Sequence, residues 1–368
     1  MRISPPLRML CCLLVTLSVC PSLCSTVTAQ DVPWLAEVTA SPANPVLPNP
    51  GRIDPLLPES ARTLSEWEQQ RPQLLRKWLE FLGPMPTPGP LNLQILSSEA
   101  IGPVTRRLVQ YDGEPGLRVQ GWLLEPTTRS GRLPALVGLH QTTNASIDEI
   151  AGVSGRDEMH IGLKLAKRGF VVFCPRCFLW QDVPSLNAAV EQHRSRHPNT
   201  TGMAKMLYDA SRAIDLLVSL DSVDPDRIGA VGHSLGAKEA LYLAAFDTRI
   251  RAAVACEGGL GFRSTNWDAP WYLGPAIRDE QFPLNHHQLL ALIAPRPFLI
   301  IGGESGPGAA DGDRSWVLIN AALPVWKLYG SPQRLALLNH RQGHAITEQG
   351  FEKMADWLTA YVSESRQP

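Results

Sequence analysis

The most informative stretch of this chain reads Val231-Gly232-His233-Ser234-Leu235-Gly236. It follows an apolar run typical of a buried strand and precedes residues 237–246, whose composition favours a helix. A sharp turn between a strand and a helix holds its serine in a strained conformation, so the flanking positions must lack bulk. Gly232 and Gly236 meet that requirement. We therefore expect Ser234 to be a nucleophile and the Leu235 N–H, at the start of the helix, to face a developing oxyanion.

Short apolar strands alternate with helical patterns on both sides of this turn. The predicted strands are 106–111, 117–124, 135–139, 170–174, 227–231, 252–255, 298–301 and 334–338. The predicted helices are 63–82, 161–168, 203–220, 237–246, 314–329 and 351–362. The first two strands form an antiparallel pair, and the alternation predicts an α/β fold with a mainly parallel, doubly wound sheet. Catalytic side chains are expected in the loops at the carboxyl ends of the strands.

The amino-terminal region has the pattern of an export signal. Arg2 and Arg8 precede an apolar run over 9–19, and small residues lead to Ala29. This predicts a signal peptide over 1–29 and a secreted or periplasmic protein. A lipoprotein is the alternative, because Cys20 and Cys24 follow the apolar run. We expect a Pro-rich N-terminal arm over 30–62, a catalytic domain over 63–368, and no membrane span after the signal.

Charge and cysteine content narrow the functional classes. The net charge is −1, which gives no reason to expect a nucleic-acid partner. After the signal, the cysteines that remain are Cys174, Cys177 and Cys256. Cys174 and Cys177 form a C-x-x-C motif, but no second such pair completes a zinc site. We expect a local disulfide or buried thiols there, and neither a metal nor a cofactor.

A serine nucleophile needs a general base and an acid that orients it. His344 follows the last predicted strand and precedes the last helix, so it is the preferred base; His340, nearer the strand end, is the competitor. Asp311, after the strand at 298–301, is the preferred acid, and Glu257, after the strand at 252–255, is the alternative. Two other carboxylates lie in the loop that follows the strand at 298–301. Glu304 is a minor candidate for the acid, and Asp313 is expected to cap the following helix.

Two further segments are expected to surround the serine. The loop after 135–139 is expected to provide a second oxyanion donor, the N–H of Gln141 or of Thr142. The alternative is that its polar side chains only satisfy the loop backbone. An aromatic-rich insertion after the sixth predicted strand, over 258–290, contains Trp267 and Trp271. These rings either line a substrate pocket or pack the insertion against the domain. His286 and His287 lie in the same insertion, but no third ligand has suitable spacing, so packing is preferred.

With these motifs in place, the chain from about 117 to the closing helix resembles secreted α/β-hydrolases of the acetyl xylan esterase and dienelactone hydrolase-like group, and more distantly the glucuronoyl esterases. The resemblance is carried by Leu139-His140-Gln141-Thr142, Gly232-His233-Ser234-Leu235-Gly236, the run Leu289-Leu290-Ala291-Leu292-Ile293-Ala294-Pro295-Arg296-Pro297, and Gly343-His344. It implies the α/β-hydrolase fold and a serine esterase activity without a cofactor.

The glucuronoyl esterases add two expectations. Their acid commonly follows the strand after the nucleophile helix, which corresponds to Glu257. They also carry an arginine directly after the nucleophile and a lysine shortly beyond it; here Leu235 replaces the arginine and Lys238 is present. Leucine does not bind a carboxylate. The resemblance therefore favours small neutral acyl esters of carbohydrates, with Lys238, Trp267 and Trp271 as substrate-binding candidates.

The predicted function is therefore hydrolysis of a carboxylic ester, of a small molecule or a polysaccharide, through an acyl-enzyme. A glucuronoyl esterase is one alternative. A serine peptidase of the prolyl oligopeptidase type is another, although just about a hundred residues precede the hydrolase portion. A non-catalytic binding protein on the same fold is the third.

Overall fold

The structure is a computed structural model that describes residues 32–57 and 63–363. The predicted signal peptide and its cleavage site lie outside the described residues. The described chain builds a nine-stranded sheet. Its strands are β1 (Gln94–Ile101), β2 (Val104–Asp112), β3 (Arg118–Pro126), β4 (Leu133–Leu139), β5 (Val171–Pro175), β6 (Val223–His233), β7 (Ile250–Cys256), β8 (Phe298–Gly302) and β9 (Leu335–Asn339).

The sheet is mostly parallel, as predicted. Its order is β1-β2-β3-β5-β4-β6-β7-β8-β9. The first three strands are antiparallel neighbours, and β3 joins β5 in antiparallel register. From β5 to β9 every neighbouring pair is parallel. The loops that follow β4, β6, β7, β8 and β9 therefore all leave the sheet at the carboxyl ends of the strands, where the candidate residues were expected.

Helices cover both faces of this sheet. They are α1 (Leu35–Val38), α2 (Leu64–Leu82), α3 (Ile147–Ile150), α4 (Ile161–Ala166), α5 (Leu186–Arg196), α6 (Gly202–Val218), α7 (Leu235–Phe246), α8 (His286–Ile293), α9 (Trp316–Leu328) and α10 (Glu348–Leu358). Buried residues of α2, α6, α7, α8 and α9 form one core with one face of the sheet. Those of α1, α3, α4 and α10 form a second core on the other face.

Successive side chains of the parallel strands point alternately into the two cores. On β4, Ala135 and Val137 belong to the first core, whereas Leu136 belongs to the second. Phe173 and Val172 divide in the same way on β5. Because successive side chains of a strand point to opposite faces, a strand buried on both sides is continuously apolar. This explains why these strands were recognisable as short apolar runs.

Strand β1 was not predicted, and its presence corrects the strand count. The aromatic-rich insertion follows β7, the seventh strand of the sheet, and not the sixth. β1 lies at the sheet edge and is exposed over nearly all its length, with Ile95 61% and Leu96 47% exposed. A strand without a buried face has no apolar pattern by which the sequence identifies it.

The Pro-rich segment before α2 packs against the domain. Trp34 and Val38 are buried in the second core, and the Trp34 indole N–H donates to Asp356 at 3.1 Å. Further along, Leu47 and Leu57 are buried in the first core. The segment has the extended character expected of an arm, but it is held at both faces of the sheet and is not a free linker.

The three cysteines after the predicted signal were expected to form a local disulfide or to be buried thiols. Cys174, Cys177 and Cys256 are buried free thiols in the structure, so the C-x-x-C pair is not bridged there. Burial raises the pKa of each thiol, which opposes a redox or nucleophilic role.

Among the residues that the structure describes, none of the helices is long and apolar enough to cross a membrane.

Candidate active site

Ser234 lies at the junction of β6 and α7 in a strained backbone conformation. Its φ is 57° and its ψ is −112°, outside the ordinary regions for a residue with a side chain. Such a conformation costs about 1–3 kcal/mol and persists only when neighbouring structure enforces it. Here the Ser234 N–H donates to the carbonyl of Cys256 at 2.8 Å, and its own carbonyl accepts from the Lys238 N–H. The turn therefore has the strain predicted for a nucleophile elbow.

The two glycines of the motif are required by close backbone approach. A Cβ at Gly232 would overlap the carbonyl of Gly236, within the turn itself. A Cβ at Gly236 would overlap the carbonyl of Leu139, the last residue of β4. The first turn of α7 is therefore pressed against the loop that follows β4. This contact brings the Leu235 N–H and the Gln141 segment, the two predicted oxyanion elements, to the same place.

The loop after β4 is fixed by buried hydrogen bonds. His140 Nδ1 lies 2.8 Å from the carbonyl of Gln141 and acts as the donor, so its Nε2 accepts from the Cys177 N–H at 3.2 Å. Burial lowers the pKa of His140 to about 4, which keeps the ring neutral. The Gln141 side chain donates to the carboxylate of Glu149, which also accepts from the Arg156 N–H at 3.0 Å. The loop is thus a rigid wall beside the elbow.

His344 and Glu257 meet at the carboxyl end of the sheet. His344 Nδ1 lies 3.9 Å from Glu257 Oε2, which is longer than a hydrogen bond. The His344 ring lies 4.7 Å, centroid to centroid, from that of His233, the residue before Ser234. Loops from β6, β7 and β9 thus bring the elbow, a buried carboxylate and an imidazole to one place.

Glu257 is a fully buried carboxylate with several donors. Its Oε1 accepts from the Gly303 N–H at 2.5 Å, and its Oε2 accepts from the Ala310 N–H at 2.9 Å. Burial alone would raise the pKa of Glu257. The contacts with His340 and His344 and the bond from Ala310 outweigh it and lower that pKa to about 2. The carboxylate is therefore ionised across the range in which a histidine base works.

Asp311, the acid preferred from the sequence, is used differently. Its carboxylate accepts from the Gly259 N–H at 2.8 Å, the Leu260 N–H at 3.0 Å and the Ser315 hydroxyl at 2.7 Å. These bonds attach the start of the insertion to the loop after β8. Burial and the nearby charge of Glu257 raise the pKa of Asp311. The structure thus brings Glu257, and not Asp311, to His344.

Two neighbouring carboxylates hold the same loop. The Asp313 side chain was expected to cap α9 but accepts from Asn339 Nδ2 at 2.9 Å and from Arg341 at 2.7 Å. The cap position of α9 is Ser315, whose side chain makes no capping bond. Glu304 accepts from the Asp313 N–H at 2.7 Å and from Asn339 Nδ2 at 2.8 Å. Both carboxylates therefore connect the loop after β8 to the end of β9.

The insertion after β7 packs through its aromatic residues. Trp267 is fully buried, and its indole N–H donates to the carbonyl of Gly259 at 2.6 Å. This corrects its expected substrate contact, because a ring enclosed by protein cannot line an open pocket. Trp271 is partly exposed and lies against Tyr272. Of the two tryptophans, Trp271 is the one that the structure leaves partly accessible.

Lys238 is buried between α7 and the insertion. Its ammonium donates to the carbonyl of Gly258 and to the Thr265 hydroxyl at 2.6 Å, and it lies 4.5 Å from the centroid of the Trp267 ring. Burial lowers the pKa of Lys238 to about 7. Its donors are therefore occupied within the protein, and in this structure it links the insertion to α7.

The histidine pair of the insertion also packs, as preferred from the sequence. His286 lies 2.7 Å from the carbonyl of Leu260 through Nδ1 and 3.1 Å from the Tyr242 hydroxyl through Nε2. His287 Nε2 lies 3.0 Å from the carbonyl of Asp54. Within residues 32–57 and 63–363, no group of three or more His, Cys, Asp or Glu side chains is placed to hold a metal ion.

Two further histidines lie beside the His344–Glu257 pair, and one of them, His233, was given no role from the sequence. His233 is 2% exposed, and among the residues that the structure describes neither of its ring nitrogens has a hydrogen-bond partner. Burial and the nearby charge of His344 lower the pKa of His233 to about 3. His340, considered as a competing base, has its Nε2 3.3 Å from Glu257 Oε1. His340 thus lies beside the carboxylate that faces His344, and proximity to the strand end alone did not reveal that.

Comparisons with known proteins bear on the fold and on the class of enzyme. Residues 145–292 match the model of the dienelactone hydrolase family. The chain has the α/β-hydrolase fold. The match includes the elbow, the loop carrying Glu257 and the insertion, and it ends before β8. The resemblance to esterases of this fold that the sequence predicted is thereby confirmed.

Solved structures and curated relatives extend the comparison. The structure is similar to a glucuronoyl esterase from Solibacter usitatus, with a TM-score of 0.68 and 20% identity over 87% of this chain and 99% of that one. It is also similar to an acetyl xylan esterase from Paenibacillus sp. R4, with a TM-score of 0.54 and 17% identity over 84% and 97% of the two chains. A multidomain esterase from Ruminococcus flavefaciens is 25% identical over 180 residues, which is 38% of this chain and 23% of that protein. The curated relatives are matched over 23% to 34% of their own lengths.

Proposed function

We propose that the protein is an exported serine carboxylic-ester hydrolase that removes small, acetyl-type acyl groups from carbohydrates. The observation that carries the proposal is the strained conformation of Ser234 at the end of β6, next to the His344–Glu257 pair. Strain that a fold maintains at a polar residue is typical of catalytic positions. The similarity to carbohydrate esterases supports the same class of substrate.

The roles follow from the chemistry of the groups. Ser234 Oγ attacks the ester carbonyl while His344 accepts its proton through Nε2. Glu257, facing Nδ1, orients the ring and stabilises the imidazolium that forms. The N–H groups of Leu235 and Gln141 stabilise the oxyanion. His344 then protonates the leaving alcohol, and a water molecule, deprotonated by His344, hydrolyses the acyl-enzyme.

Glu257 is chosen as the acid on two grounds. It faces His344, and its low pKa keeps it charged when His344 becomes an imidazolium. Asp311 has its carboxylate committed to two backbone N–H groups and a hydroxyl. Moving it to His344 would leave these buried donors without partners, at a cost of about 1–3 kcal/mol each.

Hydrolysis of uronate esters is the second candidate, because glucuronoyl esterases are among the structural neighbours and Glu257 follows the strand after the nucleophile helix. Leu235 argues against it, since it provides no cation for a carboxylate. A panel of acetyl, longer acyl, feruloyl and uronate-methyl esters separates the two. We expect the highest kcat/KM on acetyl esters; a predominant rate on uronate-methyl esters would reverse the preference.

Peptidase activity, simple binding and export are each tested separately. A peptidase of the prolyl oligopeptidase type would cleave proline-containing amides faster than esters. A non-catalytic binding protein would not be labelled by a fluorophosphonate at Ser234. Export is tested by expressing the full chain and sequencing the amino terminus of the mature protein, which we expect to begin after Ala29.

A further inference from the structure

Glu257 is in contact with two imidazoles, and the mechanism uses one of them. His344 faces Oε2, at 3.9 Å, whereas His340 faces Oε1, at 3.3 Å from its Nε2. The His340 side chain is 6% exposed, compared with 29% for His344. The more accessible ring thus suits a residue that reacts with substrate, and the more enclosed ring suits a residue that acts on the carboxylate.

The surroundings of His340 define which of its nitrogens carries the hydrogen. The N–H of Gln342 donates to His340 Nδ1 at 3.2 Å, so Nδ1 is the unprotonated acceptor. In the neutral ring the hydrogen is then on Nε2, the atom that faces Glu257. His340 therefore turns its N–H-bearing nitrogen toward the carboxylate at 3.3 Å, although the approach is not aligned as a hydrogen bond among the described residues. Protonation of Nδ1 would instead place two donors against each other.

The turn that carries His340 is itself fixed. The backbone N–H of His340 donates to the carbonyl of Gly302 at 2.9 Å, which joins it to the end of β8. Asn339 Oδ1 accepts from the N–H of Arg341, whose φ is 62°. These bonds fix the backbone of the turn, and the Gln342 N–H holds Nδ1 of the ring. The imidazole is therefore positioned by bonds that do not involve Glu257.

We propose that His340 is a positioning residue that restrains the Glu257 carboxylate, so that Oε2 remains directed at His344 Nδ1. Backbone donors from Gly303 and Ala310 hold the two oxygens in place, and His340 adds a side-chain contact on the Oε1 side. Without it, the two backbone donors alone set the orientation of the carboxylate, and the Oε1 side loses its side-chain neighbour. His344 then loses part of the anion that orients it and stabilises its charged form.

Other charges around the pair do not replace this contact. His233, at the end of β6, faces His344 and is kept neutral by burial. The charge of Glu257 raises the pKa of Asp311, and that of Arg156 helps to lower the pKa of His233. Neither the Asp311 nor the Arg156 side chain is the partner of a Glu257 oxygen. The proposal therefore predicts a property of His344 that depends on residue 340 in particular.

The test compares His340→Leu, which removes the donor, with His340→Gln, whose amide N–H keeps one. The first measurement is the pKa of His344, obtained by NMR titration of the full-length protein with labelled histidine. We expect His340→Leu to lower this pKa, in the same direction as Glu257→Gln and by a smaller amount, and His340→Gln to keep it near the wild-type value. An unchanged or raised pKa in folded His340→Leu would overturn the proposal.

The second measurement is kinetic and rests on the proposed function. Loss of a group that orients a catalytic partner typically costs 10–100-fold. We expect kcat of His340→Leu to fall by about that factor with little change in KM, and the acidic limb of the pH profile to move to lower pH. If His340→Leu instead loses kcat together with Tm and its pH profile does not move, His340 contributes only to stability and the proposal is wrong.

The two proposals fail in different ways. If the wild-type protein hydrolyses none of the esters, the proposed function fails while the titration still decides the role of His340. If His340→Leu does not fold, His340→Asn takes its place, because its shorter amide keeps polarity in the turn without reaching Glu257. It is expected to lower the pKa of His344 as His340→Leu does, and a wild-type value would contradict the proposal.

Discussion

Glu257 Oε2 and His344 Nδ1 lie 3.9 Å apart at the carboxyl end of the sheet, although 87 positions separate them in the chain. Asp311, which stands at the place where the sequence favoured the acid, is bonded to the start of the insertion instead. The fold thus offers two buried carboxylates within one loop cluster, and they are distinguished by their partners.

This difference predicts different kinetic results for two isosteric changes. Glu257→Gln removes the charge that stabilises the His344 imidazolium, so kcat/KM on an acetyl ester should fall by about 10²–10⁴-fold. It should also lower the free energy of unfolding by about 1–3 kcal/mol, because the Gly303 or the Ala310 N–H loses its acceptor. Asp311→Asn should keep kcat within about tenfold and lower the free energy of unfolding by about 1–3 kcal/mol, because buried donors lose an acceptor. Ester kinetics and urea unfolding of both variants measure this. The reverse kinetic pattern would make Asp311 the acid.

The close approach at Gly236 predicts a failure of folding that is independent of chemistry. A Cβ there would overlap the Leu139 carbonyl, a backbone atom that has no alternative position within β4. Gly236→Ala should therefore lower the free energy of unfolding by more than about 3 kcal/mol or prevent soluble expression. Gly89→Ala is the control, because nothing lies within 4 Å of its added Cβ. Equal stability of the two variants would show that the elbow is not tightly packed.

Lys238 predicts a specific pH dependence of stability. Its pKa is lowered from 10.5 to about 7 by burial. Below pH 7 the lysine is charged in the folded and in the unfolded protein, so the folded protein carries the full cost of burying that charge. Between pH 7 and 10.5 the unfolded chain binds a proton that the folded chain does not, so the stability from this group rises with pH.

The comparison with Lys238→Met isolates this effect. The free energy of unfolding of the wild type minus that of the variant should increase by roughly 3 to 5 kcal/mol between about pH 6 and about pH 10.5. Chemical unfolding of both proteins across this range measures the difference, in which groups common to both cancel. A difference that is flat, or that decreases with pH, would show that the ammonium is not desolvated.

The sequence predicted the fold because its parallel strands are buried on both faces and its turns are marked by glycine. The elbow was recognisable because Gly232 and Gly236 are sterically required, and that requirement is local. Strand β1 was missed because its side chains are exposed, and α5 because its apolar content is low. The spacing of apolar residues along the sequence reveals an element through its buried face, and β1 and α5 bury few of their residues.

The partners of the carboxylates were not predictable in the same way. Glu257 and Asp311 both follow a strand at the expected edge of the sheet. Which of them meets His344 depends on backbone N–H groups of Gly259 and Leu260, which no sequence pattern specifies. The same applies to His340, whose contact with Glu257 arises from the course of the turn after β9. Non-local hydrogen bonds, and not residue types, make these assignments.

The central claim is that the Ser234 hydroxyl is activated for attack on an ester, and its most direct measurement is active-site labelling combined with turnover. The purified full-length protein is treated with a fluorophosphonate, the modified residue is located by mass spectrometry, and the rate on p-nitrophenyl acetate is compared with that of Ser234→Ala. The account predicts stoichiometric labelling of Ser234 and a loss of at least about 10³-fold in kcat for the variant. An unlabelled Ser234, or a Ser234→Ala protein with wild-type turnover, would contradict it.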